Sequence, residues 1–92
     1  MAKNLHIEGI VQGVGYRIAF EKKARALNLS GWVRNRSNGS VEAVASGVTE
    51  ALKKIIDWAW RGPSGARVRD IEIVEMDDAL VSAGKFTIRP TQ

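Results

Sequence analysis

An arginine placed where a helix is about to begin is an electrostatic misfit, and Arg17 is such a residue. It closes the stretch Gly9-Ile-Val-Gln-Gly-Val-Gly-Tyr-Arg17, which an apolar run enters and a helical pattern leaves. Between them, Gln12-Gly13-Val14-Gly15 punctuates the chain; its glycines can take positive φ and let a ligand approach the backbone. The dipole and the unpaired N–H groups of a first helical turn already favour an anion. A guanidinium at the mouth of that pocket adds a rigid fork of donors that suits phosphate and that lysine cannot reproduce. Gln12, Gly13, Val14, Gly15, Tyr16 and Arg17 are therefore the candidate phosphate-binding residues. Taken singly, the glycines read better as a tight turn without a ligand and Arg17 as a solvated helix-start cation, so a second group must be found.

Few other residues offer chemistry. The chain has no cysteine, which excludes a disulfide framework, a thiolate nucleophile and a cysteine metal site. His6 is the single histidine. It falls on the polar face of a strand pattern with only Glu8 nearby, and reads as structural rather than as a ligand or base. Asp77 and Asp78 lack the spaced oxygen ligands of a calcium loop and read as a solvated turn. Trp58 and Trp60 lie at a helix end beside a terminator and read as packing, since base-stacking aromatics belong on sheet faces or in grooves.

The elements that must carry Arg17 follow from periodicity. The 92 residues form one expected domain, 1–92, with 45% hydrophobic and 26% charged residues, a globular balance. Asn4 to Val11 alternates as a strand with Leu5 and Ile7 on one face. Ile18 to Leu29 reads as a helix, with Phe20, Ala24 and Leu27 at helical spacing, stopped over Asn28 to Gly31. Gly31 to Arg36 and Val41 to Ser46 are strands joined through Asn38-Gly39, which predicts a type I′ hairpin with both residues at positive φ. Thr49 to Trp60 is a second helix, capped by Thr49, with Val48, Leu52, Ile55, Ile56 and Ala59 as its apolar stripe. Gly62-Pro63 ends it. Arg67 to Met76 is strand-like, and its alternation slips between Val68 and Ile71, which a bulge or a late strand start near Asp70 would reconcile. Lys85 to Arg89 is a last short strand with Phe86 and Ile88 inward.

Strand, helix, strand, strand, helix, strand, with a short C-terminal strand added, predicts an α+β, ferredoxin-like split βαβ sandwich. Two helices would cover one face of a sheet rich in antiparallel pairs. Strands one and two, joined by a helical crossover, run parallel with the third strand between them. Their carboxyl ends then share one sheet edge, about 10 Å apart. Arg17 leaves one end and Asn35 stands near the other, although 18 positions separate them. Asn35 is the second group: a guanidinium and a carboxamide can converge across that gap.

At this level of detail the sequence resembles the acylphosphatase family. Gly9 to Arg17 matches its first motif; Gly31-Trp-Val-Arg-Asn35, with Gly39, Val41 and Gly47 following, matches its second. Gly62-Pro63, Ala66-Arg67-Val68 and Phe86-Thr-Ile-Arg89 are also typical, so the resemblance spans nearly the whole chain. It implies hydrolysis of the carboxyl-phosphate bond of an acyl phosphate, with inorganic phosphate as product. Arg17 would be the phosphate-binding arginine and Asn35 the residue that positions the attacking water; together they are the expected catalytic pair. A carboxylate leaves readily, so positioning and charge stabilisation suffice and no metal or cofactor is expected.

Two other classes are open to such a chain. Its net charge of +4 suits anions of any kind, and ferredoxin-like sheets also serve as RNA-recognition modules. Those need aromatics on exposed central strands, and here the first and third strands have none, which argues against a nucleic-acid partner. A regulatory domain without turnover is disfavoured by the intact Arg17 and Asn35. No apolar leader and no run able to span a bilayer is present, so a cytoplasmic monomer acting on a small molecule, without a membrane partner, is expected.

Overall fold

The structure is a computed structural model and describes all 92 residues. Five strands and two helices follow the expected order: β1 (Ala2–Ile10), α1 (Tyr16–Ala26), β2 (Ser30–Asn35), β3 (Val41–Ser46), α2 (Thr49–Arg61), β4 (Arg67–Met76) and β5 (Phe86–Ile88), with a short 3₁₀ turn at Asp78–Leu80. The sheet order is β4-β1-β3-β2-β5. β1 pairs antiparallel with β3 and β4, β2 antiparallel with β3, and β2 parallel with β5. The chain thus has the ferredoxin-like βαββαβ arrangement, with β3 between the parallel strands β1 and β2.

Strand alternation and helix periodicity meet in one core. Leu5 and Ile7 of β1, Val33 of β2, and Val41, Ala43 and Ala45 of β3 face Phe20 and Ala24 of α1 and Leu52, Ile55 and Ala59 of α2. Aromatic rings extend this core between the helices. Phe20 lies 5.7 Å from the Trp58 ring and 5.8 Å from the Phe86 ring, and Tyr16 lies 5.5 Å from Trp58. These are separations at which ring pairs add to simple burial. Trp58 is partly buried and packs against the core, while Trp60 is 46% exposed.

Several local expectations change. Helix α1 starts at Tyr16, two residues early, and ends at Ala26. Its end is set by Asn28 at φ 58°, with Leu29 N–H donating to Ala24 O (3.0 Å) and Asn28 N–H to Arg25 O (3.0 Å). That Schellman closure turns the chain three residues before a pattern of apolar spacing would stop it. In α2, Val48 rather than Thr49 is the N-cap residue, no side chain caps it, and Val48 is exposed rather than part of the stripe. Ile88 is likewise partly exposed, unlike Phe86.

The hairpin is not a type I′ turn. Arg36 N–H donates to Ser40 O (2.8 Å) and Gly39 N–H to Arg36 O (3.1 Å), so the loop has three residues. Gly39 takes φ 93°, but Asn38 does not take positive φ. Its Oδ1 instead accepts from the Ser40 N–H (3.0 Å) and hydroxyl (2.6 Å), an Asx arrangement that competes with the tighter turn. The slip in β4 is a bulge and not a late start, since the strand begins at Arg67: Glu8 pairs with Asp70 and Gly9 with Val68, leaving Arg69 as the extra residue. Asp77 and Asp78 are more than solvated turn. Asp77 accepts from Ala79 N–H (2.9 Å) to cap the 3₁₀ turn, and Asp78 accepts from the Ser46 hydroxyl (2.6 Å) and the N-terminal amine.

The helix-free face of the sheet centres on Glu42. Its Oε1 accepts from Arg34 (2.8 Å) and Arg36 (3.0 Å), its Oε2 from Asn4 (3.0 Å), and His6 Nε2 lies 3.6 Å away. Burial alone would raise the Glu42 pKa. The hydrogen bonds from Asn4 and Arg34 and the charges of Arg34 and His6 outweigh it and hold the carboxyl below the usual glutamate range. A depressed pKa stabilises the fold above the unfolded-state value, near 4.3, and that contribution is lost as pH falls through the folded value. The Glu42→Gln variant is accordingly expected to lose less stability than wild type between about pH 5 and the folded-state pKa, as read by urea unfolding at stepped pH. Equal slopes for the two proteins would contradict this.

The sheet also demands one glycine by close approach. A Cβ on Gly31 would sit 1.8 Å from Val44 O, at φ 136°. Gly31→Ala is expected to lower unfolding free energy by at least ~3 kcal/mol, measurable as a fall in the urea midpoint.

Candidate active site

The site begins where β1 ends. Gly13 (φ 75°) and Gly15 (φ 79°) bend the chain out of the sheet and into α1. Gly15 is the N-cap residue of α1, in the left-handed conformation that costs a side-chain-bearing residue about 1–2 kcal/mol. No side chain caps this helix, and its first turn holds no acidic residue. The positive end of the α1 dipole is thus uncompensated, and Arg17 adds a full charge to it. Neighbouring cations are committed: Arg25 to Glu21 (3.2 Å), and Arg34 and Arg36 to Glu42. Arg17, partly buried, forms no ion pair and no side-chain hydrogen bond within the protein.

Asn35 is the last residue of β2, and its backbone is fixed on both sides. It pairs with Val41 of β3, while its carbonyl accepts from Gln92 N–H (3.2 Å) of the C-terminal segment. Ser37 N–H donates to Gln92 O (3.0 Å), closing that contact. The Asn35 Oδ1 is buried without a hydrogen-bond partner. An oxygen in that state costs about 1–3 kcal/mol, which marks it as retained for something other than stability.

Val11, Gln12, Gly13, Gly15, Tyr16, Arg17, Ile18 and Asn35 line one cavity of about 190 Å³. It is below the ~300 Å³ at which drug-sized pockets begin, and its scale suits a small polar group. Arg17 and Asn35 therefore border the same space, from opposite sides of β3. A larger depression of about 570 Å³ lies elsewhere, beside Arg25, Asn28, Ser30 and Lys85. It includes neither residue, and Arg25 Nε is already bonded to Phe86 O (3.2 Å). No group of three His, Cys, Asp or Glu side chains is placed to hold a metal.

The other candidates divide by what their side chains do. Val14 does not line the cavity; it packs against the core. Tyr16 is buried, and its hydroxyl donates to Ala59 O (2.6 Å) near the end of α2. That carbonyl has no helical donor, because the residue four positions on is Pro63. Burial pushes the phenol pKa well up, so the hydroxyl stays a donor at all working pH. What Tyr16 can offer an anion is its backbone N–H. Gln12 likewise has its side-chain amide engaged: Nε2 donates to Arg36 O (2.8 Å) and Ser40 O (2.9 Å) of the hairpin. Sequence patterning does not reveal either bond, because both acceptors are main-chain carbonyls that carry no residue signature.

Removing the Tyr16 hydroxyl isolates its structural part. Tyr16→Phe is expected to lose about 1 kcal/mol of stability in urea unfolding, with inorganic phosphate affinity within about twofold of wild type. A large loss of phosphate affinity would assign the hydroxyl to the site instead.

Comparison with known proteins bears on the family and the fold. The acylphosphatase family model matches residues 3–88. An acylphosphatase of Rhodopseudomonas palustris is 49% identical, over 99% of this chain and 96% of its own. The crystal structure of an acylphosphatase from Bacillus subtilis superposes with a TM-score of 0.86 at 30% identity, covering 96% of this chain and 97% of that one. An acylphosphatase structure from Coxiella burnetii gives a TM-score of 0.88 at 36% identity, covering 96% and 90%.

Proposed function

The chain belongs to the acylphosphatase family of hydrolases, and on that premise we propose that it cleaves acyl phosphates without a metal, using Arg17 and Asn35. The observation that carries the reading is a single cavity bordered by an unpaired arginine and by Asn35. Backbone N–H groups from Gln12 to Arg17 hold the phosphoryl oxygens, and the Arg17 guanidinium neutralises their charge. Because that charge is redistributed as the bond to the leaving group breaks, donors fixed in advance lower the barrier rather than only the substrate's dissociation constant.

The Asn35 carboxamide hydrogen-bonds the water and orients its oxygen toward phosphorus. A new P–O bond forms and the bond from phosphorus to the acyl oxygen breaks, its electron pair leaving on the carboxylate. The water's proton passes to a phosphoryl oxygen, so no titrating side chain is required. Products are the carboxylate and inorganic phosphate. The carboxylate is a good leaving group, and positioning with charge stabilisation is enough. No helix is long and apolar enough to cross a membrane. A cytoplasmic monomer of one domain, with no nucleic-acid or membrane partner, is the setting that suits a small-molecule hydrolase of this size.

Benzoyl phosphate hydrolysis with chelator present tests the reaction; turnover only after metal is added would refute the metal-free route. Arg17→Lys is expected to lower kcat/KM at least about 100-fold and to weaken inorganic phosphate binding, with the fold intact by circular dichroism. Asn35→Ala is expected to lower kcat about 100-fold with phosphate affinity retained. Near-normal phosphate binding in the first variant, or near-normal turnover in the second, would remove that residue from the mechanism.

A further inference from the structure

We propose that Gln12 is a positioning residue whose carboxamide fixes the anion loop against the neck of the β2–β3 hairpin. In doing so it sets the distance between the phosphoryl group and the water held by Asn35. The inference rests on the hydrolysis reading above. Its basis is that the two halves of the site are carried by segments that hardly touch through polar contacts. No backbone hydrogen bond joins residues 11–15 to residues 36–40. The Gln12 amide makes the only hydrogen bonds between them, at 2.8 Å to Arg36 O and 2.9 Å to Ser40 O.

Both donors of the carboxamide are used, and both acceptors lie at the hairpin neck next to Asn35. Neither acceptor depends on Gln12 for satisfaction. Ser40 O already accepts from Arg36 N–H (2.8 Å), and Arg36 O from Gly39 N–H (3.1 Å). A carbonyl oxygen has two lone pairs, so the Gln12 bonds are second bonds to groups already paired. Their removal leaves no orphaned acceptor, and the hairpin keeps its own closure. What is lost is the link between loop and hairpin, at a place where small misplacements of reacting groups cost large factors in rate. Ser40 is buried (8% exposed), so bulk water is poorly placed to substitute for the amide.

The test is a double-mutant cycle on benzoyl phosphate hydrolysis, with inorganic phosphate as competitive probe of the loop and urea unfolding as control. Gln12→Ala and Gln12→Met, the second keeping length without donors, are each expected to lower kcat about tenfold while the phosphate inhibition constant moves less than about twofold. In an Asn35→Ala background, where no oriented water remains, adding Gln12→Ala is expected to change kcat by less than about twofold. A merely structural role would act equally in both backgrounds, and that result would overturn the proposal. So would phosphate affinity falling in step with kcat, unchanged kcat, or unfolding of both Gln12 variants, since the bonds would then serve the loop, nothing, or the fold. Wild type without turnover, or Asn35→Ala with full turnover, would refute the underlying hydrolysis reading first.

Discussion

Positive charge concentrated at the positive end of a helix is the constraint on which this structure turns. Arg17 stands in the first turn of α1 behind a left-handed Gly15, with no capping side chain and no acidic residue. Other helix starts and the buried carboxylate are compensated. Glu50 stands in the first turn of α2, Asp77 caps the 3₁₀ turn, and Glu42 gathers two arginines. The one helix start left uncompensated is the one that faces a cavity. Electrostatics therefore favours an anion there, and the remaining architecture can be read as what keeps that charge from being neutralised internally.

Rigidity on the opposite wall complements this. Asn35 is held by β3 on one side and by the C-terminal segment on the other, so its side chain projects from a backbone with little freedom. The strand between the two walls, β3, contributes small or compact residues to the core and Glu42 to the open face. Glu42 in turn holds Arg34 and Arg36, the residues flanking Asn35 in sequence. Two arginines that would otherwise crowd the neighbourhood with free positive charge are turned to the far side of the sheet. Arg17 thus remains the cation of the cavity.

Much of this was legible in the chain. Alternation in β1, the apolar spacing of α2 and the slip in β4 each reported a real feature, because each arises from burial on one side of a regular element. The pairing of Arg17 with Asn35 was also within reach, since topology alone puts the ends of β1 and β2 on one edge. Failures share a cause. The start of α1, the end of α1 at Asn28, the cap of α2 and the hairpin turn are all decided by local hydrogen bonds among main-chain atoms and short polar side chains. Asn38 shows the point: Asn-Gly is compatible with a type I′ turn, but the Asn38 carboxamide bonding to Ser40 selects a wider loop. Gln12 and Tyr16 were missed as linkers for the same reason, as their partners are carbonyls.

Strand order carries a consequence for how the protein comes to be active. The strand leading into the anion loop, β1, is flanked by β3 and β4, so its two neighbours in the sheet are drawn from residues 41–46 and 67–76. β2, which delivers Asn35, is completed only by β5 at residues 86–88. Such pairings close large loops before any contact rewards them, which slows folding relative to helical proteins of equal length. β1 is paired on both edges only with residues 67–76 in place, and β2 only with residues 86–88 in place. The cavity between Arg17 and Asn35 therefore rests on pairings drawn from the whole span between β1 and β5.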